Sequence, residues 1–281
     1  MTIGTDVVTA DRELENKHRA LWALGDYAAV ATEVVAPLGP VLVQASGIRA
    51  GDRVLDVAAG AGNVAIPAAR AGADVVASDL CLELLERGRA IAQSQGVRLQ
   101  WRAANAEALP FDDDAFDAVL SCIGVMFAPH HQRAADELVR VCRPGGTIGL
   151  ISWTPEGFVG QMFATIKPYL PTPPAGAQPA PRWGSPDYVR GLLADRINEF
   201  SAQRRTLLVD RFADGAAFRD FFKAHYGPTI SAYQAIADEP ERVAALDAEL
   251  AELGDRQLRG SSAMQWEYLL VTARKRQAVN R

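Results

Sequence analysis

Cysteine is scarce in this chain, and its spacing is unlike that of a metal site or a disulfide framework. There are three among 281 residues, at Cys81, Cys122 and Cys142. An odd number cannot pair completely, and no two stand at the short spacing that zinc ligands share. The sequence therefore predicts no metal site and a reducing, cytoplasmic environment.

Long apolar runs and an excess of positive charge are also missing. No uninterrupted apolar segment approaches the roughly 20 residues that span a bilayer, and the polar stretch after Met1 lacks the apolar centre of a signal peptide. The formal net charge of -5 offers no general attraction to a phosphate backbone. We therefore expect neither a membrane nor nucleic acid among the partners of this protein.

The remaining composition, 49% hydrophobic and 22% charged residues, suits one large globular domain or two. Short apolar segments alternate with amphipathic ones, which is typical of parallel strands with helices between them. The predicted strands cover residues 54–57, 74–77, 99–103, 117–122, 147–153, 200–212 and 264–273. The predicted helices cover 11–24, 27–47 with a break at Pro37, 80–95, 132–141, 186–193 with Ser185 as its cap, 218–225 and 240–253.

The segment 54–63 combines a short apolar strand with a carboxylate, Asp56, and two glycines, Gly60 and Gly62. Glycine adopts backbone angles closed to other residues and lets a ligand approach the main chain. A helix follows, and its free N–H groups favour a ligand at this turn. The glycine pattern also fits the dinucleotide fingerprint. However, Asp56 lies four residues before Gly60, where a carboxylate suits a positively charged ligand.

Later segments add four more motifs in a fixed order. Together, the five resemble those of the class I S-adenosylmethionine-dependent methyltransferases. They are 54–63, the strand ending in Ser78 and Asp79, 105–111, 116–122 and 143–147. The resemblance covers roughly residues 51–153. It implies an α/β fold with a Rossmann-like, seven-stranded mixed sheet, helices on both faces and an antiparallel last strand. N-terminal helices and a late helical cap complete the expected fold.

The resemblance gives the glycine turn a role toward the methionine part of S-adenosyl-L-methionine. Ala58, Gly60 and Gly62 are expected to bring their backbone against it. Asp56 is expected to stabilise the ammonium group directly or through water. The alternative for Asp56 is that it only fixes backbone N–H groups of the turn. The resemblance further implies that the backbone carbonyl of Cys122 receives the ammonium.

The acidic and amide residues after the next two strands are expected to hold the nucleoside. Asp79 suits both ribose hydroxyls, although it also stands where a helix begins and is equally placed to cap it. Leu80 is expected to pack on adenine. Asn105 replaces the usual aspartate that accepts from the adenine amino group, and the N–H of Ala106 serves another ring nitrogen. Glu107 is interpreted as a surface charge.

Aromatic residues outside these motifs are candidates for the lid and the acceptor side. Tyr27, with Trp22, is expected to cover the cofactor pocket, and packing of the N-terminal helices on the sheet is the alternative for both. Phe127 is expected to form a wall on the substrate side, with core packing as its alternative. His130 and His131 follow, and we assign no catalytic residue among them.

The sequence divides into four regions on this interpretation. A helical lid covers 1–50, the S-adenosylmethionine-binding core 51–153 and a proline-rich loop 154–185. Residues 186–281 complete the sheet and carry an inserted cap at about 213–260. The charged run at 274–276 is expected to be a solvated tail.

The predicted function is methyl transfer from S-adenosylmethionine to a small-molecule acceptor by in-line displacement, which needs alignment more than a strong base. Two alternatives stay open: a non-catalytic S-adenosylmethionine-binding partner protein and an NAD(P)-dependent oxidoreductase. A homodimer is one of the assemblies the sequence allows.

Overall fold

The computed structural model describes residues 3–173 and 176–277, with side chains from residue 13 onward. In this part of the chain, seven strands form one sheet in the order β3-β2-β1-β4-β5-β7-β6. The strands are β1 Arg53–Val57, β2 Asp74–Asp79, β3 Gln100–Ala103, β4 Phe116–Cys122, β5 Cys142–Trp153, β6 Ile197–Val209 and β7 Met264–Lys275.

The register of the sheet places the ends of neighbouring strands side by side. β1 is parallel to β2, with Val57 opposite Ser78, and parallel to β4, with Asp56 opposite Leu120. β7 runs antiparallel to both β5 and β6. The predicted mixed sheet with an antiparallel last strand is therefore confirmed. The carboxyl ends of β1, β2 and β4 meet at one edge, where open α/β sheets bind ligands.

Helices precede the sheet and connect its strands. They are α1 Ile3–Trp22, α2 Tyr27–Glu33, α3 Leu38–Ala45, α4 Ala65–Arg70, α5 Leu82–Ser94, α6 His131–Val141, α7 Phe158–Ile166, α8 Pro186–Leu193, α9 Gly215–His225, α10 Gly227–Ala235 and α11 Pro240–Leu258. Successive residues of a strand face opposite sides, and all four residues from Val54 to Val57 are buried. Both faces of the central strand are therefore covered.

Packed aromatic rings attach the late helical cap to the sheet. Trp266 of β7 stacks on Phe158 of α7 with ring centroids 5.2 Å apart. Phe218 and Phe222 of α9 lie 6.3 and 5.8 Å from the same indole. Because large buried rings contribute much apolar area, this cluster stabilises the cap on the sheet.

Two helices are absent from the sequence-based prediction. α7 lies inside the segment 154–185 that was predicted as a loop, and its residues are mostly apolar and buried. α10 begins with Gly227 and Pro228, which resemble a turn, but proline is favoured at the first position of a helix. α10 has almost no amphipathic periodicity. α7 was missed for another reason: it lies in the segment whose later prolines predicted a loop.

Some element ends also differ from the prediction. The run 274–276 is not a free tail, because β7 continues to Lys275, whose Nζ lies 2.6 Å from the Asp114 carboxylate. Ser185 is the N-cap residue of α8, as predicted, but its side chain makes no hydrogen bond to the helix. No single helix in residues 3–173 and 176–277 is long and apolar enough to cross a bilayer; α2 and α3 pass that test only as a pair bent by 69°.

Candidate functional site

A cavity of about 370 Å³ opens at the carboxyl ends of β1, β2 and β4, beneath α1 and α2. Small-molecule sites commonly enclose roughly 300–1,000 Å³, so this cavity has the size of a ligand site. We call the side formed by the strand ends the cavity floor. Its residues are Ala58, Gly60, Asp79, Leu80, Asn105, Ala106 and Cys122.

The turn after β1 carries left-handed backbone angles and separates the roles of its two glycines. Gly60 has φ 54° and Gly62 has φ 88°. A Cβ on Gly60 would stand 3.6 Å from Cε1 of Tyr27, in the space of the cavity. A Cβ on Gly62 would lie only 2.8 Å from Cη2 of Trp101. The expected placement of Gly62 at the ligand is therefore wrong: this glycine permits packing behind the turn, whereas Gly60 keeps the cavity open.

Asp56 lies beneath the turn and is not among the residues that line the cavity. Its Oδ2 accepts a hydrogen bond of 2.9 Å from the N–H of Ala65, at the start of α4. Its Oδ1 is buried and has no hydrogen-bond partner among the described residues. Burial raises the pKa of Asp56 to about 8, and the nearby Asp79 adds to the rise. The position corresponds to the alternative interpretation, in which the carboxylate fixes backbone N–H groups.

Asp79 joins the turn after β1 to the start of α5. Its Oδ2 accepts from the N–H of Gly60 at 2.8 Å, and its Oδ1 accepts from the N–H of Cys81 at 2.8 Å. Burial raises its pKa. Because a carboxylate oxygen has two lone pairs, each oxygen keeps one acceptor position for a ligand. Asp79 is not the cap of α5, because the N-cap residue is Cys81; its carboxylate instead holds the segment before that helix. The remaining acceptor positions leave room for a second role in the cavity.

The segment after β3 contributes an amide to the cavity floor. Oδ1 of Asn105 accepts from the N–H of Glu107 at 2.9 Å, which fixes the orientation of the amide. Its Nδ2 donates to Glu15 of α1 over 3.4 Å. This contact connects the first helix to the floor. Ala106 and Leu80 also line the cavity.

The end of β4 meets the turn through a side-chain amide. Nδ2 of Asn63 donates to the carbonyl oxygen of Val35 at 3.2 Å and lies 4.0 Å from Sγ of Cys122. Burial raises the pKa of the Cys122 thiol well above its usual range. The thiol therefore stays neutral, as expected of a cysteine that is not a reactive nucleophile.

Three rings that line the cavity form what we call the aromatic wall: Trp22, Tyr27 and Phe127. The Trp22 ring lies 5.4 Å from that of Tyr27 and 4.6 Å from that of Phe127, both edge to face. Phe163 of α7 and Tyr226 support them from behind, at 5.8 Å from Phe127 and 6.0 Å from Trp22. Trp22 therefore both lines the cavity and packs the N-terminal helix.

Sequence reasoning missed a polar cluster at the cavity rim. Glu107 is not a surface charge, because its side chain is only 8% exposed. Its Oε1 accepts from the backbone N–H of His130 at 2.6 Å, and its Oε2 lies 2.8 Å from Nδ1 of the same residue. His18 of α1 also lines the cavity, and burial lowers its pKa. The only sequence signal was the position of Glu107 two residues after Asn105.

The neighbouring His131 has a different environment. It is fully buried, does not line the cavity, and its Nδ1 lies 2.9 Å from the hydroxyl of Tyr188. Burial lowers its pKa to about 4. Within the described ranges, no three His, Cys, Asp or Glu side chains come together as a metal site.

A Rossmann-like sheet with a cavity at its carboxyl edge is typical of the ligand-binding α/β proteins. Comparisons with known proteins define the family. The Methyltransferase domain family matches residues 55–150. An uncharacterized protein of Mycobacterium tuberculosis is 59% identical over 276 residues, which cover 98% of this chain and 100% of that protein. The chain belongs to the class I S-adenosylmethionine-dependent methyltransferase family.

Other similarities are more limited. A demethylmenaquinone methyltransferase of Clavibacter sepedonicus is 43% identical over 99 residues, covering 35% of this chain and 40% of that enzyme. The YcgJ protein of Bacillus subtilis has a TM-score of 0.57 at 18% identity, covering 85% of this chain and 97% of that one. The [4+2]-cyclase SpnF has a TM-score of 0.53 at 20% identity, covering 86% and 82%. The two solved structures establish the fold alone.

Proposed function

We propose that this protein binds S-adenosylmethionine on the cavity floor and transfers its methyl group to a small-molecule acceptor. One observation carries the proposal: Asp79 accepts the N–H of Gly60 at 2.8 Å and also lines the cavity. This bond holds the glycine turn and the acidic strand end together at one edge of the sheet. The family match over residues 55–150 covers both.

The floor residues fit the parts of this cofactor. The unused lone pairs of Asp79 suit the ribose hydroxyls, because a carboxylate accepts strongly from hydroxyl groups. Oδ1 of Asn105 accepts from the N–H of Glu107 with one lone pair, and its second lone pair is left for an adenine amino group. The missing Cβ at Gly60 leaves space for the methionine part. The buried Oδ1 of Asp56, beneath the turn, has no partner among the described residues and is left as an acceptor for the ammonium group.

The chain itself contributes binding, alignment and exclusion of water. When bound, the cofactor would supply an electrophilic sulfonium methyl group to the lone pair of an acceptor and would be left as S-adenosylhomocysteine. α1, α2 and the aromatic wall cover the cavity, so the reacting atoms are held away from solvent. Enclosure beneath two helices supports an acceptor of small-molecule size.

Calorimetric titration with S-adenosylhomocysteine tests the proposal. The wild type should bind saturably, and Asp79→Ala should weaken binding by at least about 100-fold, because two hydrogen bonds to a charged group are lost. Asp74→Ala, at the exposed opposite end of the same strand, is the matched control and should bind as the wild type does. Melting temperatures of both variants separate lost binding from lost fold.

Failure of the wild type to bind would defeat the proposal, and enhanced fluorescence of reduced nicotinamide would favour an oxidoreductase. Incubation of metabolite extract with radiolabelled methyl donor then tests turnover. Binding without any labelled product would favour a non-catalytic binder.

A further inference from the structure

The side of the cavity away from the polar rim is aromatic and uncharged. Its wall consists of Trp22, Tyr27 and Phe127, which come from three separate elements. Ala31 follows Tyr27 by one helical turn and also lines the cavity. The charged or titratable lining residues of α1, of the segment after β3 and of the start of α6, by contrast, gather at the rim. They are Glu15, His18, Glu107, His130 and Arg133.

The rings of the wall contact each other, which determines what shape they accept. Trp22 and Phe127 have centroids only 4.6 Å apart, and Trp22 and Tyr27 are 5.4 Å apart. A ligand does not fit between rings at these distances, so the wall presents a continuous surface. Rings behind it hold this surface in place, since Tyr226 lies 6.0 Å from Trp22. Because these rings meet edge to face, the preformed wall offers both ring faces and ring edges to a ligand. Such a surface favours an aromatic ligand, whose ring can stack on a face or contact an edge.

One hydroxyl group interrupts this apolar surface next to the floor. Among the described residues, the hydroxyl of Tyr27 has no hydrogen-bond partner. Burial raises the pKa of Tyr27, and the nearby Cys122 and Asp79 raise it further, so the hydroxyl stays neutral. Tyr27 therefore lies where the aromatic wall meets the cavity floor. A neutral hydroxyl there suits a neutral polar group on a ligand, because it can both donate and accept a hydrogen bond.

We propose that the aromatic wall receives the methyl acceptor, and that this acceptor is a neutral, planar aromatic compound whose hydroxyl group hydrogen-bonds to Tyr27. This inference rests on the proposed function, because it assigns the acceptor side of the same cavity. Ring stacking and edge contacts place the acceptor plane against Trp22 and Phe127. The Tyr27 hydroxyl then orients the acceptor oxygen toward the cavity floor.

Calorimetry on the complex with S-adenosylhomocysteine tests the inference, with 2-naphthol as the probe. Saturable binding of 2-naphthol is expected. Phe127→Ala should weaken it roughly tenfold, because one aromatic contact surface is lost. Phe200, on β6, is also a half-buried phenylalanine but does not line the cavity. Phe200→Ala should therefore leave 2-naphthol affinity unchanged.

A conservative variant tests the hydroxyl group separately. Tyr27→Phe keeps the ring in the wall and should weaken 2-naphthol binding by about threefold to tenfold. Naphthalene-2-sulfonate, which carries a full negative charge, should bind far more weakly than 2-naphthol. Tetramethylammonium should not compete with 2-naphthol, because the packed rings leave no cage for a cation.

The outcomes separate this inference from the proposed function. If S-adenosylhomocysteine fails to bind the wild type, the proposed function fails. If it binds but 2-naphthol does not, or if Phe127→Ala and Phe200→Ala affect 2-naphthol equally, the aromatic acceptor is wrong. An unchanged affinity in Tyr27→Phe overturns the hydroxyl contact, and tight binding of tetramethylammonium would identify a cation site instead.

Discussion

The cavity floor and the aromatic wall face each other but are built by different interactions. The floor is fixed by backbone N–H groups bonded to buried side chains, as in the bond between Gly60 and Asp79 of 2.8 Å. The wall is fixed by ring packing between distant parts of the chain, as between Trp22 and Phe127. Hydrogen bonds impose a specific geometry, whereas ring packing tolerates substitution. The floor therefore suits one ligand geometry, whereas the wall accepts more than one ligand shape.

The two glycines of the turn after β1 give the sharpest comparison, with the largest expected effects. Gly62→Ala should lower the free energy of unfolding by about 3 kcal/mol, because left-handed strain is joined by overpacking against Trp101, 2.8 Å away. Gly60→Ala carries similar strain without that clash and should cost only about 1–2 kcal/mol. Its Cβ enters the cavity, so affinity for S-adenosylhomocysteine should fall at least about tenfold.

Denaturant unfolding and calorimetry of the same two variants check this prediction. The wild-type chain serves as the reference for both measurements. Folded Gly62→Ala protein should keep nearly the wild-type affinity for S-adenosylhomocysteine. If the two substitutions proved interchangeable in stability and binding, the separation of their roles would be wrong.

The buried carboxyl beneath the floor predicts a pH effect of intermediate size. The pKa of Asp56 is raised from 3.8 to about 8, so the folded state binds the proton more tightly than the unfolded state. Its contribution to stability is fully present below about pH 4 and is lost as the pH rises toward 8, at up to about 1.4 kcal/mol per pH unit. Asp56→Asn should flatten this decline in urea titrations at pH 5, 6.5 and 8. If the unfolding free energy of Asp56→Asn declined with pH as steeply as that of the wild type, the decline would not be due to Asp56.

His131, buried behind the segment that carries Phe127, predicts the opposite dependence. Burial lowers its pKa from 6.5 to about 4, so the unfolded state binds the proton more tightly. Its contribution is present above about pH 6.5 and is lost as the pH falls toward 4. His131→Gln should show a smaller loss of unfolding free energy between pH 6.5 and 5 than the wild type. If the unfolding free energy fell equally in both proteins between pH 6.5 and 5, the loss would belong to groups other than His131.

The smallest effect is expected where α1 meets the floor. Glu15 accepts from Asn105 over a long distance of 3.4 Å, and such a contact adds little to stability. Glu15→Ala should change the free energy of unfolding by less than about 1 kcal/mol and affinity for S-adenosylhomocysteine by less than about threefold. A tenfold loss of affinity would mean that α1 is part of the floor and not a separate cover.

The sequence named residues of both the floor and the wall, but not the contacts that hold them. Strand periodicity and the turn glycine are local patterns, so Gly60 and Asp79 were found without the fold. The distinction between Gly60 and Gly62 was not predictable, because it depends on Trp101, 39 positions after Gly62 in the chain. Contacts of the wall, and the burial of Glu107 against His130, likewise join residues from separate elements.

Hydrogen exchange with and without S-adenosylhomocysteine tests the central claim most directly, because it reports which backbone segments the ligand covers. The account predicts slower exchange at 57–62, 79–82 and 104–108, the carboxyl ends of β1, β2 and β3. Residues 51–54 and 71–75, at the amino ends of the first two strands, should exchange as before. Slowing at the amino ends, or no slowing at any of the three floor segments, would contradict it.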